Sequence, residues 1–139
     1  MIIPKARNSE AYDVVVVGCG PAGILAAYEL SEKTDLRILM LDKGPDIDKR
    51  KCPTSRGIGC VRCIPCSLLS GWGGAGAFSD GKLTLSSEVG GWLNEYLDED
   101  ELDGLIDYVD KVYLRFGAPD KLYGTDFDRV EEIERKAAL

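Results

Sequence analysis

The sequence predicts an α/β fold built on a parallel sheet. Three observations carry that expectation. Tyr12 to Val17 is a short apolar, β-branched run, as in a buried strand. A glycine-rich turn and an apolar helical stretch come next, and a second apolar run from Leu36 to Leu41 ends in Asp42. Strand, turn, helix and strand within about 30 residues are the size of one βαβ unit.

Each element has its own signal. Gly18 to Gly23 reads as the turn, and Pro21 is tolerated in a first helical turn because its missing N–H has no intrahelical partner there. The helix is expected over Ile24–Glu32, with Leu25, Ala26 and Leu30 toward the sheet. The βαβ unit is bounded at residues 12–43. Residues 44–87 form a Cys- and Gly-rich loop in which neither a period of 2 nor one of 3.6 holds. So long a loop in a compact domain is usually functional or tied down. A helical segment is expected over 95–139. In it Leu102, Leu105, Ile106, Val109, Val112, Tyr113 and Phe116 share one stripe, which Gly117 and Pro119 stop. Phe127–Leu139 reads as a further helix. Residues 1–11 are polar and unpatterned, a loose terminus. Asp98-Glu99-Asp100-Glu101 before a helix complements the helix dipole, and no EF-hand spacing accompanies it.

Composition narrows the function. The chain has 139 residues, suited to one domain and short for a two-domain enzyme. Its net charge of -7 and the absence of a basic stripe argue against a nucleic-acid partner. There is no histidine, so acid–base chemistry within this segment falls to other residue types. The longest uncharged stretch, Val14 to Tyr28, is too short to span a membrane, and Gly18, Gly20 and Pro21 interrupt it. Five cysteines, four of them crowded between Cys52 and Cys66, do not resemble a secreted disulfide frame, and the chain is expected to be cytoplasmic.

The turn Gly18-Cys19-Gly20-Pro21-Ala22-Gly23 is a G-x-G-x-x-G between a strand and a helix, with Asp42 about twenty residues on. Each residue has a separate physical task. Gly18 permits the tight turn, Gly20 admits a pyrophosphate to the backbone, and Gly23 lets helix and strand close up. The helix N-terminus, which opens at Pro21 and Ala22, presents free N–H groups and partial positive charge to phosphate. Asp42 would accept hydrogen bonds from ribose hydroxyls. Cys19 reads as a small turn residue. Together these predict a Rossmann-like FAD- or NAD(P)-binding fold with an incomplete parallel sheet, a long Gly/Cys-rich insertion and C-terminal helices. Two strands are too few for a doubly wound sheet, so the sequence reads as the N-terminal portion of a larger protein.

Tyr12 to Gly23, with Ala27 and with Leu41-Asp42-Lys43-Gly44 closing the second strand, resembles the N-terminal motif of glutathione-reductase-type flavoproteins. The resemblance implies that this site, with Lys43 at its edge, holds the ADP half of FAD. Most of those proteins have Glu where this chain has Asp42. Their C-x4-C disulfide is absent, so that enzyme's mechanism is not implied. Ser70-Gly71-Trp72-Gly73-Gly74-Ala75-Gly76-Ala77-Phe78-Ser79-Asp80-Gly81-Lys82-Leu83 is more distinctive. It resembles a family of bacterial and archaeal FAD-dependent dehydrogenases, over most of residues 12–127 and including Leu122-Tyr123-Gly124-Thr125-Asp126. The resemblance implies that Gly73, Gly74, Ala75 and Gly76 run along the flavin or its pyrophosphate. Bare backbone N–H groups there agree with an anion nest. Lys82 reads equally well as a cation beside the cofactor or as a solvated surface residue. Trp72 and Trp92 could stack on a ring, but buried packing is the commoner fate.

Cys52, Cys60, Cys63 and Cys66 have the spacing C-x7-C-x2-C-x2-C. Four thiolates suit an iron–sulfur cluster or Zn²⁺, and the tight run matches part of the bacterial ferredoxin spacing. Redox-active thiols, or loop thiols without metal, are the other readings. A metal crosslink would explain how so long a loop is ordered.

The expected function is the FAD-binding segment of a flavoprotein oxidoreductase, a dehydrogenase moving hydride or electrons through the flavin. The resemblance implies an unidentified small-molecule substrate and allows NAD(P)H as electron donor. Two rivals remain at this stage. One is a nucleotide-binding protein without turnover, the other a four-cysteine metal module. No catalytic acid or base is legible.

Overall fold

A computed structural model describes residues 11–79 and 81–138. The loose terminus expected over 1–11 lies, up to residue 10, outside the described residues, as do Asp80 and Leu139. The chain divides into two compact units, Met1–Lys82 and Leu83–Leu139.

The first unit opens with strand β1, Val14–Val17, then helix α1, Pro21–Lys33, then strand β2, Ile38–Leu41. β1 and β2 are parallel, with Val14 opposite Ile38 and Val17 opposite Leu41. This is the expected βαβ unit, compatible with a partial Rossmann-like fold. Both strands are shorter than the apolar runs that predicted them. The Asp13 and Arg37 pair sets their common start: the Asp13 N–H donates to the Arg37 carbonyl at 2.9 Å, and the Arg37 N–H donates to the Asp13 carboxylate at 2.9 Å.

The contact between α1 and β1 depends on one missing side chain. A Cβ on Gly23 would stand 2.0 Å from the Gly18 carbonyl oxygen and 3.3 Å from the Val16 Cγ1. Gly23 thus lets the helix axis come down onto the strand, as the motif predicts. The helix begins three residues before the expected Ile24, and this contact sets its rotation. Ala27, one turn on, is therefore the buried residue, while Ala26, expected to face the sheet, is exposed. Leu25 and Leu30 are half-buried. On the sheet, Val15 and Val17 alternate outward and Val17 is 83% exposed.

Residues 44–79 carry no strand. They fold as short 3₁₀ turns at Ile47–Lys49, Pro53–Arg56 and Gly74–Phe78, joined by irregular backbone. Aperiodic sequence is what such backbone requires, because side chains alternate on no fixed face.

The second unit has a 3₁₀ turn at Leu93–Glu95 and helices α2, Glu99–Arg115, and α3, Phe127–Ala137. The Asp98 carboxylate accepts from the Glu101 N–H at 2.8 Å and so caps α2, with Glu99, Asp100 and Glu101 in its first turn. The acidic run therefore acts as the expected dipole partner, and Asp98 caps the helix in addition. Of the α2 stripe, Leu102 and Val112 are buried and Ile106 and Val109 half-buried, while Leu105, Tyr113 and Phe116 stay exposed. Gly117, at φ +92°, ends the helix in the left-handed region. Asp126 caps α3 by accepting from the Arg129 N–H at 3.2 Å. Trp92, expected to pack, is 77% exposed. Among the described residues no helix is long and apolar enough to cross a membrane.

Two glycines in helices should respond oppositely to the same change. Gly23→Ala drives a Cβ into backbone and is expected to destabilise by about 3 kcal/mol. At Gly104, inside α2, an added Cβ meets nothing within 4 Å. Gly104→Ala should therefore stabilise by about 0.5–1 kcal/mol, through lower backbone entropy in the unfolded chain. Urea midpoints followed by circular dichroism distinguish the two.

Candidate functional site: two glycine segments in contact

The first glycine turn and the second glycine segment meet. The Gly73 N–H donates to the Cys19 carbonyl at 2.8 Å. A Cβ on Gly74 would stand 3.0 Å from the Gly20 Cα and 3.3 Å from the Pro21 Cδ. Gly74, at φ +59°, is in the left-handed region, as is Gly73 at φ +81°. Of the expected cofactor residues, Gly18, Gly20, Pro21, Gly73 and Gly74 are brought together here. Gly76 is close as well, a Cβ there lying 3.7 Å from the Pro21 Cγ. Ala22 and Ala75 are exposed beside them.

The three glycines of the first turn are present for different reasons. Gly18, at φ +107°, needs the conformation. Gly23 needs the packing described above. Gly20 needs neither. Its φ of -79° and ψ of -179° suit any residue, and a Cβ there would meet only the Gly74 Cα, at 3.9 Å. The space in front of Gly20 is open to something other than this chain.

The same place holds the uncompensated positive end of a helix dipole. α1 has no side-chain cap and no acid in its first turn, unlike α2 and α3. Its first N–H groups therefore lack both a capping acceptor and a dipole-neutralising carboxylate.

Asp42 stands at the end of β2 and ties the site together. One carboxylate oxygen accepts from the Cys19 N–H and the other from the Gly44 N–H, both at 2.8 Å. These two bonds hold the Asp42 carboxyl below its usual range, aided by the Gly71 N–H and the nearby Lys43 against the opposing effect of burial. The side chain expected to hold ribose is thus also a structural tie between the first turn and the loop. Two bonds leave lone pairs on the carboxylate for further donors. Lys43 is exposed. Cys19 is fully buried, and burial followed by the Asp42 charge pushes its thiol up, as befits an inert turn residue.

Arg50 was not foreseen from the sequence. It is 4% exposed, and its guanidinium faces backbone carbonyls. Nε donates to Ser67 at 2.9 Å, Nη2 to Leu68 at 2.7 Å, and Nη1 to Trp72 at 2.6 Å and Gly74 at 2.7 Å. The Phe78 ring covers the guanidinium at 4.6 Å. Close backbone packing completes the arrangement, since a Cβ on Gly44 would stand 2.4 Å from the Gly71 N and one on Gly71 2.4 Å from the Pro45 carbonyl oxygen. The only trace in the sequence is a pair of glycines, Gly44 and Gly71, flanking a loop whose three arginines, Arg50, Arg56 and Arg62, nothing in the pattern tells apart.

The four cysteines are not gathered. Cys52 heads the Pro53–Arg56 turn, its Sγ 2.8 Å from the Thr54 Oγ1, and hydrogen bonds from Thr54 and Ser55 hold its thiol below the usual range. Cys66 heads another turn, its carbonyl accepting from the Ser70 N–H at 2.8 Å. Cys60 and Cys63 are exposed. Among the described residues no group of three or more His, Cys, Asp or Glu side chains is placed to hold a metal ion. This geometry does not fit a four-thiolate centre of iron–sulfur or zinc type. Arg50 holds residues 67–74 of the same loop through backbone carbonyls.

The comparisons with known proteins are local. Residues 13–52 match the family model described as lycopene cyclase protein. An uncharacterized protein of Clostridium beijerinckii is 44% identical over 71 residues, 50% of this chain and 13% of that protein. The mitochondrial electron transfer flavoprotein-ubiquinone oxidoreductases of Oryza sativa subsp. japonica and Dictyostelium discoideum are 46% and 44% identical over 46 residues, 30% of this chain and 8% of each relative. The chain therefore spans 13% or less of the length of these relatives. No solved structure matches significantly. At this coarse level the likeness is to oxidoreductase-type chains.

Asp42 gives the site a testable pH dependence. Its folded-state pKa is lowered, so its contribution is present above the unfolded value and is lost as pH falls through the folded one. Asp42→Asn is expected to destabilise the protein near neutrality, and the difference from the parent should shrink as pH falls through the depressed folded-state pKa of Asp42. Denaturant midpoints of the two proteins at pH 7 and in acid test this.

Proposed function

We propose that this chain is the FAD-binding segment of a flavoprotein oxidoreductase of dehydrogenase type. The carrying observation is Gly20, a glycine that neither the backbone nor the packing of this chain requires. It stands at an uncapped helix N-terminus between Gly18 and Gly74. A pyrophosphate laid there would meet backbone N–H groups and the positive end of the α1 dipole. The remaining lone pairs of Asp42 would take the ribose hydroxyls. The second segment, Gly73 to Gly76, would form the opposite wall. Bound FAD supplies hydride or electron transfer through its isoalloxazine, and this chain supplies position and electrostatics.

The comparisons support the same reading. Two relatives are named as oxidoreductases that work with an electron transfer flavoprotein and ubiquinone. The glycine turn, the acid after β2 and the second glycine segment all belong to residues that serve a dinucleotide.

The intact protein should purify yellow and release FAD on denaturation. Gly20→Ala is the discriminating variant, because a Cβ at this position clashes with nothing in the chain. It should fold as the parent does and bind FAD at least about tenfold more weakly, the new methyl occupying the space of the phosphates. Flavin per chain, measured by absorbance and by fluorescence titration of the apoprotein, reads the effect. An alanine variant that keeps the parent affinity overturns the assignment of this turn.

A further inference from the structure

Arg50 has an unusual set of partners. A buried guanidinium ordinarily faces a carboxylate or a phosphate. Here it faces the carbonyls of Ser67, Leu68, Trp72 and Gly74, all in one loop. A planar peptide carries its N–H on the edge opposite its carbonyl. Drawing a carbonyl to Arg50 therefore turns the N–H of the next residue away from it. The destination is visible for one of these peptides. The Trp72 carbonyl takes the Arg50 Nη1, and the Gly73 N–H, across the same peptide, donates to the Cys19 carbonyl in the first glycine turn. The same Nη1 takes the Gly74 carbonyl, so the peptide joining Gly74 to Ala75 is oriented by the same atom.

We propose that Arg50 is the positioning residue of the dinucleotide site: it does not touch the cofactor, but through the Trp72 and Gly74 carbonyls it holds the second glycine segment against Gly20. The inference rests on the FAD reading above. Three features make the arrangement specific to a guanidinium. Its four contacts leave from three nitrogens in a fixed plane. The Phe78 ring covers that plane. The Gly71 backbone passes so close that a Cβ there would stand 2.9 Å from the Arg50 Cδ. A lysine has one nitrogen at the end of a flexible stem and cannot reach four carbonyls spread from Ser67 to Gly74. Arg50 also carries its positive charge into a site whose proposed ligand is anionic, so its removal changes both shape and field.

The test uses the intact protein. Arg50→Lys keeps the charge and is expected to fold, to weaken FAD binding at least about tenfold, and to broaden the visible spectrum of the flavin still bound. In Arg50→Ala, ethylguanidinium at millimolar concentration should restore FAD binding and the parent spectrum, and ethylammonium should not. A role confined to stability predicts no such selectivity between the two cations. Gly74→Ala gives a second arm that leaves the guanidinium itself in place, since its Cβ pushes on the Gly20 Cα from the loop side; it too should lose FAD while keeping its circular dichroism. A parent that binds no FAD overturns the reading of the site and this inference with it. A parent that binds FAD, with an Arg50→Lys or Gly74→Ala variant of equal affinity, overturns the inference alone. So does an Arg50→Ala protein that is folded and lacks FAD but gains nothing from ethylguanidinium.

Discussion

A guanidinium bonded to backbone carbonyls orders the loop of the first unit. The Arg50 contacts reach residues 67 to 74, a stretch with no strand and no apolar period. Hydrogen bonds to charged groups contribute about 1.5–3 kcal/mol each in net terms, the desolvation of the charge already being set against them. A guanidinium is more weakly hydrated than an ammonium, which lowers that opposing cost. The balance favours order because every bond restrains backbone that has little else to hold it. Among the described residues the buried apolar side chains are only Cys19, Ala27, Leu102 and Val112. So small an apolar core leaves loop geometry to polar contacts.

Asp42 and Arg50 divide the work by sign. The anion collects N–H groups from Cys19 and Gly44. The cation collects carbonyls from the second glycine segment and its approach. They do not pair with each other. Each uses its charge to orient peptides, and the two sets of peptides meet where the Gly73 N–H reaches the Cys19 carbonyl. A charge paired with another side chain fixes one geometry. A charge bonded to several peptides fixes the course of a loop, which is what a backbone-lined site requires.

The βαβ unit was legible because its signals are local: β-branched runs, a glycine turn, an acid at the strand end. The rotation of α1 was not, because it depends on the Gly23 contact with Gly18, and the apolar pattern fits Ala26 as well as Ala27. The helices of the second unit were legible through the acidic run at Asp98 and the stripe from Leu102 to Phe116. Arg50 was illegible because its partners are carbonyls, which every residue possesses and no sequence distinguishes. The cysteines drew attention for the opposite reason. Their spacing is conspicuous, yet Cys52 bonds to its own turn and Cys60 and Cys63 stay exposed. The ribose role expected of Asp42 stays a proposal; the tie its carboxylate makes between turn and loop was not legible in the sequence.

The glycines divide into those the fold requires and one that it does not. A glycine is required by conformation when φ is positive, as at Gly18, Gly73 and Gly74. It is required by packing when a Cβ would enter backbone, as at Gly23, Gly44 and Gly71. Both requirements would persist if the chain bound nothing. Gly20 meets neither criterion, although it lies between residues that do. Its neighbours are held by Asp42 from one side and, through Gly73 and Gly74, by Arg50 from the other. The open space is therefore bounded on both sides by backbone that two buried or half-buried charges keep in place. Under the proposed reading, an anion entering it would meet the α1 N-terminus without binding having to order the loop as well.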